Sequence, residues 1–313
     1  MRILVTGANG YLGQGIVKEL LDKGQEVVAA DFKLDHTDER AEGVECDLFD
    51  VGDPYEFFGE PDVLLHLAWR DGFVHYSDAH INDLPEHYAF LKSIAEGMKN
   101  AHEGKDNGKE PSALSNAKAL TGKQNGNAAG ENETSYGRIA VMGTMHEIGF
   151  FEGAIKEETP CNPVTPYGIA KNALRELTAL LCKQNNVTFQ WLRGFYIVGN
   201  SQYGSSIFSK ITAAAMEGKK EFPFTQGLNQ FDFIDYDLFA KQVAAAVSQD
   251  DINGIINICS GRPEKLADRV ERFIKENNYK IKLKYGAFPD RPYDSKAVWG
   301  DDFKIRMIME KAQ

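Results

Sequence analysis

The chain has 313 residues, 42% of them hydrophobic, so it can bury a sizeable core in one large domain or two lobes. Its 46 acidic and 35 basic residues give a net charge of −11, which argues against nucleic acid or an anionic membrane as partner. No segment approaches the ~18 apolar residues of a membrane helix, and we expect no signal peptide. Four scattered cysteines without metal-ligand spacing indicate reduced thiols in the cytoplasm and no metal site.

The beginning of the chain has the pattern of a βαβ unit. Residues 3–5 form a short apolar run, a glycine-rich turn follows at 7–13, and apolar residues then recur at helical spacing until Gly24. A second apolar run at 26–30 ends at Asp31. A strand, turn, helix and second strand in this order predict a parallel sheet.

The alternation of strands and helices continues along the chain. Further strands are predicted at 62–67, 139–142, 188–192 and 255–258. A helix over 169–183 lies between two of them, and its leucines at 174, 177, 180 and 181 are predicted to be buried. The alternation predicts an α/β protein with a Rossmann-like doubly wound parallel sheet.

One segment does not fit this alternation. From about 101 to 135 the chain is rich in Asn, Gly, Lys, Ala and Glu and has no Phe, Tyr or Trp. It cannot bury enough apolar surface to offset its ordering entropy, which predicts an exposed, mobile low-complexity insertion. A tolerated surface insertion is favoured over a functional lid.

The glycine turn is a candidate dinucleotide-binding site. Gly7, Gly10 and Gly13 follow a strand and open a helix, as the dinucleotide fingerprint requires. Glycines let the backbone approach a pyrophosphate, whose charge the helix N-terminus stabilises. The other residues of the turn that are predicted to contact the cofactor are Asn9, Tyr11 and Leu12. A purely structural turn is the alternative.

Asp31 selects between the two nicotinamide cofactors. A carboxylate at the end of the second strand accepts hydrogen bonds from ribose hydroxyls and repels a 2′-phosphate, so NAD is favoured over NADP. Lys33 is a nearby cation that would favour NADP instead. The alternative for Asp31 is a solvated carboxylate at the strand end without a role in cofactor binding.

Tyr167 and Lys171 are candidates for proton transfer. Their i,i+4 spacing puts phenol and ammonium on one helix face, where the cation is expected to lower the pKa of the tyrosine. A general base for an alcohol needs such a group. Thr144 follows the predicted strand at 139–142 and brings a hydroxyl to the same place. Tyr88 and Lys92 have the same spacing without such a hydroxyl and are predicted to be a helix surface pair.

With these motifs the chain resembles the extended short-chain dehydrogenase/reductases, in particular the NAD-dependent sugar epimerase/dehydratase family. Besides the glycine turn, the blocks that carry the resemblance are Cys46-Asp47-Leu48, His66-Leu67-Ala68, Gly143-Thr144, Tyr167 to Lys171, Leu192-Arg193-Gly194-Phe195, Asp232-Phe233-Ile234, Asn257 to Gly261 and Arg291-Pro292. The resemblance covers nearly the whole chain outside the insertion. It implies NAD as cofactor and a nucleotide sugar as substrate.

The resemblance also implies roles for individual residues. Thr144 is expected to hydrogen-bond the reacting sugar oxygen, Tyr167 to act as acid and base, and Lys171 to hold the nicotinamide ribose. The other implied roles are adenine contacts for Asp47 and Leu48, the wall of the cofactor cleft for Leu67 and Ala68, and the substrate diphosphate for Arg291.

The chain departs from the family pattern in the substrate region. Met145 and His146 replace the Asp-Glu pair with which dehydratases eliminate water. Tyr196 and Phe231 replace an Asn and an Arg that contact the substrate phosphates, so the substrate is held differently or is not a nucleotide sugar. Trp69, after the cofactor strand, is a candidate substrate contact.

Two histidines are also candidates for acids or ligands. His66 lies at a strand end, where packing and backbone hydrogen bonding are favoured. A structural role is favoured for His146, because Tyr167 already supplies the proton chemistry.

These observations predict two lobes with the substrate between them. An NAD-binding Rossmann domain comprises 1–195 with 230–258, and a smaller C-terminal substrate lobe comprises 196–229 and 259–313. The predicted function is an NAD-dependent nucleotide-sugar 4-epimerase that works through a transient keto intermediate. A keto-sugar reductase or dehydrogenase is the alternative, and a non-enzymatic dinucleotide sensor is a weaker one. The family further implies a homodimer through its two long helices.

Replacing Asp31 with alanine tests the cofactor prediction. Loss of hydrogen bonds to a charged acceptor should weaken NAD binding by roughly 1.5–3 kcal/mol and reduce the preference for NAD over NADP. Equilibrium titration with both cofactors measures this. An unchanged preference in Asp31→Ala would show that another residue selects the cofactor.

Overall fold

The predicted βαβ unit forms the centre of the structure. The computed structural model describes residues 1–106, 135–199, 206–289 and 295–312. The strands are β1 (Arg2–Thr6), β2 (Glu26–Asp31), β3 (Glu42–Glu45), β4 (Val63–His66), β5 (Arg138–Thr144), β6 (Gly153–Ile155), β7 (Thr188–Gly194), β8 (Tyr196–Val198), β9 (Glu221–Pro223), β10 (Gln230–Asp235), β11 (Gly254–Ile258), β12 (Pro263–Lys265), β13 (Lys282–Lys284) and β14 (Ala297–Gly300). The helices are α1 (Tyr11–Asp22), α2 (Pro54–Phe57), α3 (Ala79–Asn82), α4 (Leu84–Asp106), α5 (Pro166–Gln184), α6 (Ile207–Met216), α7 (Tyr236–Val247), α8 (Leu266–Glu276) and α9 (Phe303–Lys311).

The main sheet is parallel and has the order β3-β2-β1-β4-β5-β7-β11. The chain moves outward from β1 in one direction through β2 and β3, and in the other through β4 and β5. The carboxyl ends of β1 and β4 are therefore a topological switch point, where α/β sheets bind their ligands. This arrangement confirms the predicted Rossmann-like fold.

A smaller lobe is built around a second sheet. β12, β10, β14 and β6 pair in that order, and β8 pairs with β10. Its own core contains Phe208, Phe233, Val270 and Phe273. The lobe covers one side of the carboxyl edge of the main sheet, so a cavity forms between them.

Two strands cross the predicted domain boundaries. β10 was expected in the Rossmann domain but pairs with β12, β14 and β8 of the smaller lobe. β6 likewise pairs with β14. Helix α9 was predicted in the smaller lobe. Its residues Ile305 and Ile308 instead belong to the core beside the main sheet. The rest of the predicted division stays a prediction.

The predicted insertion begins later than its composition indicated. Residues 101–106 continue α4, whereas residues 107–134 lie outside the described part of the chain. None of the helices in the described ranges has the length and hydropathy that crossing a membrane requires.

Helix α5 follows from local signals in its sequence. The Thr165 side chain accepts a hydrogen bond from the backbone N–H of Gly168, and proline occupies the first turn, where its missing N–H costs nothing. Leu174 is buried as expected, but Leu177 and Leu180 are exposed by 36% and 54%. The prediction that both are buried was therefore wrong, because helical spacing cannot tell a core from a surface strip.

Gly143 packs closely against a buried tryptophan of the neighbouring strand β7. A Cβ at this position would lie 2.0 Å from Nε1 of Trp191, which is fully buried. Gly143→Ala should therefore destabilise the fold by about 1–3 kcal/mol through overpacking, measured by denaturant unfolding. Gly104→Ala is the matched control, because a Cβ at this position of α4 meets nothing within 4 Å. Equal loss in both variants would contradict the packing argument.

Candidate active site

The glycine turn forms a cradle at the switch point. Gly7 has φ +71°, and a Cβ there would lie 2.7 Å from the backbone nitrogen of Ala68. A Cβ at Gly13 would lie 2.3 Å from the carbonyl oxygen of Gly7. Gly10, at the N-cap of α1, has no side chain to occupy the N–H groups of the first turn. These features fit a bound pyrophosphate.

Asp31 is held in place at the end of β2. Its carboxylate accepts hydrogen bonds from the backbone N–H groups of Asn9, at 3.0 Å, and Phe32, at 2.8 Å. The side-chain oxygen of Asn9 in turn accepts the backbone N–H of His36 at 2.8 Å. Asp31 lines the cleft, whereas Lys33 is exposed and does not line it. This geometry supports a ribose contact and NAD.

The predicted cofactor residues share one cleft of about 910 Å³. Those that line it are Gly7, Gly10, Tyr11, Leu12, Gly13, Asp31, Asp47, Leu48, Leu67, Ala68, Tyr167 and Lys171. Asn9 lies behind the carboxylate of Asp31 instead of in the wall. The residues present therefore fit NAD, and their individual roles stay predictions.

Thr144 and Tyr167 face each other across the end of β5. The backbone N–H of Tyr167 donates to the carbonyl of His75 at 3.1 Å, which fixes the start of α5 against the loop after β4. Burial raises the pKa of Tyr167 to about 12, although hydrogen bonding by the Thr144 side chain lowers it. The expected lowering of this pKa by Lys171 is not found. The buried phenol is therefore protonated at neutral pH.

Lys171 is turned toward the cofactor cleft. Its ammonium donates to the carbonyl of Met142 at 2.9 Å and lies 3.8 Å from the centroid of the Trp69 ring. Burial lowers the pKa of Lys171 to about 7, although the charge of Glu147 raises it. Trp69, predicted as a substrate contact, thus lies on the cofactor side of Tyr167. A cation over an aromatic face is stabilised by the ring quadrupole.

Glu147 supports the catalytic groups from below. One carboxylate oxygen accepts the backbone N–H of Thr144 at 2.6 Å and the indole N–H of Trp191 at 2.9 Å. The other lies 3.5 Å from the Nε of Arg193, and both side chains are fully buried. Burial raises the pKa of Glu147, while the charge of Arg193 opposes this. The carboxylate therefore fixes the position of Thr144.

The substrate cavity lies beside the cofactor cleft and has a volume of about 550 Å³. It is lined by Thr144 and Tyr167 on one side and by His75 and His146 above them. The Tyr196 ring adjoins His146, with centroids 6.5 Å apart. Most of the remaining wall is aromatic or aliphatic, with two serines, and its members are Tyr196, Ser206, Ile207, Phe208, Ser209, Phe231 and Phe233. The predicted diphosphate contact Arg291 lies outside the described residues. The cavity thus combines one polar edge with a largely apolar wall.

The histidines around the site were only partly foreseen. His66 is buried as predicted, but its ring bonds to side chains: Thr6 Oγ1 at 2.8 Å and His87 Nδ1 at 2.9 Å. His87, His80 and His75 were not identified from the sequence, because they follow no motif and meet the site only through the fold. Glu147 was also missed, although Thr-x-x-Glu is a capping-box pattern that would have indicated its bond to Thr144.

The second tyrosine–lysine pair is separate from the site. Tyr88 packs against the core beneath α4, and Lys92 lies 3.8 Å from Glu96 on the helix surface. Neither lines the cofactor cleft or the substrate cavity. Lys92 is exposed as predicted, whereas Tyr88 is half-buried, so the pair is not wholly on the helix surface.

A dinucleotide cradle that opens onto a buried tyrosine, lysine and threonine is the arrangement of a short-chain dehydrogenase/reductase. The chain belongs to the NAD dependent epimerase/dehydratase family, whose family model matches residues 3–259. This confirms the resemblance and the predicted cofactor NAD. The protein is therefore an NAD-dependent enzyme.

Two relatives cover almost the whole chain. A dTDP-6-deoxy-L-talose 4-dehydrogenase (NAD(+)) from Aggregatibacter actinomycetemcomitans is 38% identical over 96% of this chain and 99% of the relative. A UDP-glucose 4-epimerase from Lactobacillus helveticus is 25% identical over 99% of this chain and 91% of the relative. The chain is thus similar in full length to nucleotide-sugar enzymes of both kinds.

Solved structures share the fold at low sequence identity. The UDP-glucose 4-epimerase of Thermotoga maritima with UDP-glucose has a TM-score of 0.73 at 19% identity, and the match covers 98% of this chain and 92% of that one. The UDP-glucuronic acid 4-epimerase of Bacillus cereus, in complex with UDP-glucuronic acid and NAD, has a TM-score of 0.72 at 19% identity, over 99% and 93%. These likenesses establish the architecture.

Substitution of Tyr167 tests the catalytic assignment. Tyr167→Phe keeps the ring but removes the hydroxyl, so turnover should fall by roughly 10²–10⁴-fold while NAD still binds. Thr144→Val should cost less, because it removes one hydrogen bond. Steady-state turnover and NAD titration measure both effects. Tyr88→Phe is the matched control and should leave turnover nearly unchanged. Full activity of Tyr167→Phe would show that another group transfers the proton.

Proposed function

We propose that this protein is an NAD-dependent 4-dehydrogenase of a nucleotide-linked 6-deoxy sugar, which also reduces the corresponding 4-keto sugar. The observation that carries the proposal is the 38% identity, over nearly all of both chains, to an enzyme named for this reaction on dTDP-6-deoxy-L-talose. Of the reactions predicted from the sequence, this is the dehydrogenase alternative.

The cofactor cleft supplies the first half of the reaction. The glycine turn and the first turn of α1 hold the pyrophosphate, and Asp31 accepts the adenosine ribose hydroxyls. Lys171 holds the nicotinamide ribose. A bound nicotinamide would supply the acceptor for the hydride from C4 of the sugar in oxidation and its donor in the reverse direction.

Tyr167 and Thr144 supply the second half. In oxidation the Tyr167 phenol must first give up its own proton to solvent, and its phenolate then accepts the proton of the C4 hydroxyl while the hydride leaves C4, so that the alcohol becomes a ketone. In reduction the phenol donates its proton to the ketone oxygen. A phenol whose pKa burial raises to about 12 is protonated at neutral pH and is therefore poised as the acid for reduction. Thr144 hydrogen-bonds the reacting oxygen in both directions.

The apolar wall of the substrate cavity favours a deoxy sugar. Tyr196 packs against Phe231 at 4.9 Å and Phe233 at 5.9 Å between ring centroids. A methyl group at C6 packs against such rings and needs no hydrogen-bond partner there. This supports a 6-deoxy sugar as substrate.

A 4-epimerase remains the second candidate, favoured by the full-length similarity to a UDP-glucose 4-epimerase. The two reactions share the oxidation at C4. They differ in whether the keto sugar leaves the site or is reduced on its other face.

We also propose a homodimer. Ile169, Leu177 and Leu180 are exposed on α5 by 47%, 36% and 54%, and such a strip on one of the two long helices supports the interface that the resemblance implies. The cytoplasmic location stays a prediction.

The two candidate reactions differ in whether NADH accumulates, and this can be measured. With dTDP-6-deoxy-L-talose and NAD, the protein should form NADH and the 4-keto sugar in equal amounts, measured by absorbance and by mass spectrometry of the product. UDP-glucose without added NAD is the control and should remain unchanged. Conversion of UDP-glucose to its 4-epimer without accumulation of NADH would contradict the dehydrogenase and establish the epimerase.

A further inference from the structure

The histidines near Tyr167 fall into two groups. His66, His80 and His87 all have ring nitrogens hydrogen-bonded within the protein. His80 illustrates the pattern: its Nδ1 accepts the indole N–H of Trp69 at 3.0 Å and its Nε2 donates to the carbonyl of Val74 at 2.9 Å. These three rings are occupied in supporting the cofactor side of the site.

His75 and His146 form the second group, which we call the histidine pair. Their ring centroids are 4.3 Å apart, and both rings line the substrate cavity. The His75 ring stacks almost parallel on Tyr167, with centroids 5.0 Å apart and 7° between the planes, and His146 lies 6.1 Å from Tyr167. Throughout the described ranges, neither imidazole ring hydrogen-bonds to another residue.

The histidine pair is neutral in this environment. Burial lowers the pKa of His146 to about 4, and the charge of His75 acts in the same direction. Burial also lowers the pKa of His75, with His80 contributing. A neutral imidazole has one N–H donor and one nitrogen acceptor, so each ring offers both. Both rings are partly exposed to the cavity and have no hydrogen-bond partner among the described residues, so their nitrogens are available to a ligand that enters it.

The chemistry of the proposed substrate identifies that partner. Thr144 and Tyr167 hold the oxygen on C4, and His146 follows Thr144 by only two residues. In a 6-deoxy pyranose, C5 next to C4 carries only the methyl group and the ring oxygen, and C3 carries a hydroxyl. A group that can both donate and accept hydrogen bonds beside C4 therefore matches the 3-hydroxyl.

We propose that the histidine pair is a binding subsite for the 3-hydroxyl of the sugar, with His146 as the contact and His75 fixing it against Tyr167. The inference rests on the proposed 4-dehydrogenase. The pair makes the enzyme select substrates in which the carbon next to the reacting one bears a free hydroxyl.

The experiment compares two substrates in three proteins. The substrates are dTDP-6-deoxy-L-talose and its 3-deoxy analogue, and the proteins are the parent, His146→Phe and His146→Gln. The parent should prefer the 3-hydroxyl substrate by about tenfold to a hundredfold in kcat/KM, mainly through KM, because the analogue lacks the hydroxyl that the His146 ring would bind. His146→Phe should abolish most of this preference, and His146→Gln, which keeps a donor and an acceptor, should restore part of it.

Binding and control measurements separate the possible failures. His102→Phe is the matched control: its ring stacks on Tyr136 and lines neither cavity, so the preference should be unchanged. Calorimetric titration of both nucleotide sugars measures the same preference without turnover. If the parent forms no NADH but still prefers the 3-hydroxyl, and His146→Phe loses that preference, the 4-dehydrogenase fails and the subsite stands. A parent without preference, or an undiminished preference in His146→Phe, overturns the subsite.

Discussion

The buried carboxylate of Glu147 is the interaction on which the active site depends. It joins the end of β5 to β7, since it accepts hydrogen bonds from Thr144 and Trp191 and pairs with Arg193. A charge without solvent is tolerated only when its partners are fixed, so the carboxylate holds these elements in one geometry. The charge of Glu147 also raises the pKa of Lys171, although the burial of Lys171 has the larger and opposite effect. One side chain thus fixes the packing of β5 against β7 and also influences the charge of Lys171.

Burial dominates the electrostatics above this carboxylate. It raises the pKa of Tyr167 and lowers that of Lys171, so both groups favour their neutral forms. Trp69 compensates in part, because its ring faces the ammonium of Lys171 and is itself oriented by His80. Both groups are thus kept away from water, in surroundings where desolvation strengthens each hydrogen bond.

The substrate side follows a different principle. Where the family pattern has an asparagine and an arginine, Tyr196 and Phe231 bring aromatic surface into the cavity. Thr144, Tyr167 and the histidine pair supply polar groups to the same cavity. Ligand pockets commonly combine an apolar lining with a few polar groups in this way.

Local patterns in the sequence were enough for much of the protein. The glycine turn, the alternation of strands and helices, and the i,i+4 spacing of Tyr167 and Lys171 are all short-range, so the sequence determined the α/β fold, the cofactor and the candidate catalytic residues. The sequence also argued against dehydratase chemistry, because Met145 and His146 stand where dehydratases of the family carry Asp-Glu. These inferences need only the register of a helix or strand, which neighbouring residues specify.

Only the tertiary structure decided which distant residues meet. Glu147 contacts Trp191, 44 residues away, and His75 reaches Tyr167 through a loop without a motif. The direction of the pKa shift at Tyr167 was also decided there, because desolvation depends on everything that surrounds the ring. The exposure of Leu177 had the same origin: a helix repeats its apolar face with period 3.6 whether that face meets a core or solvent.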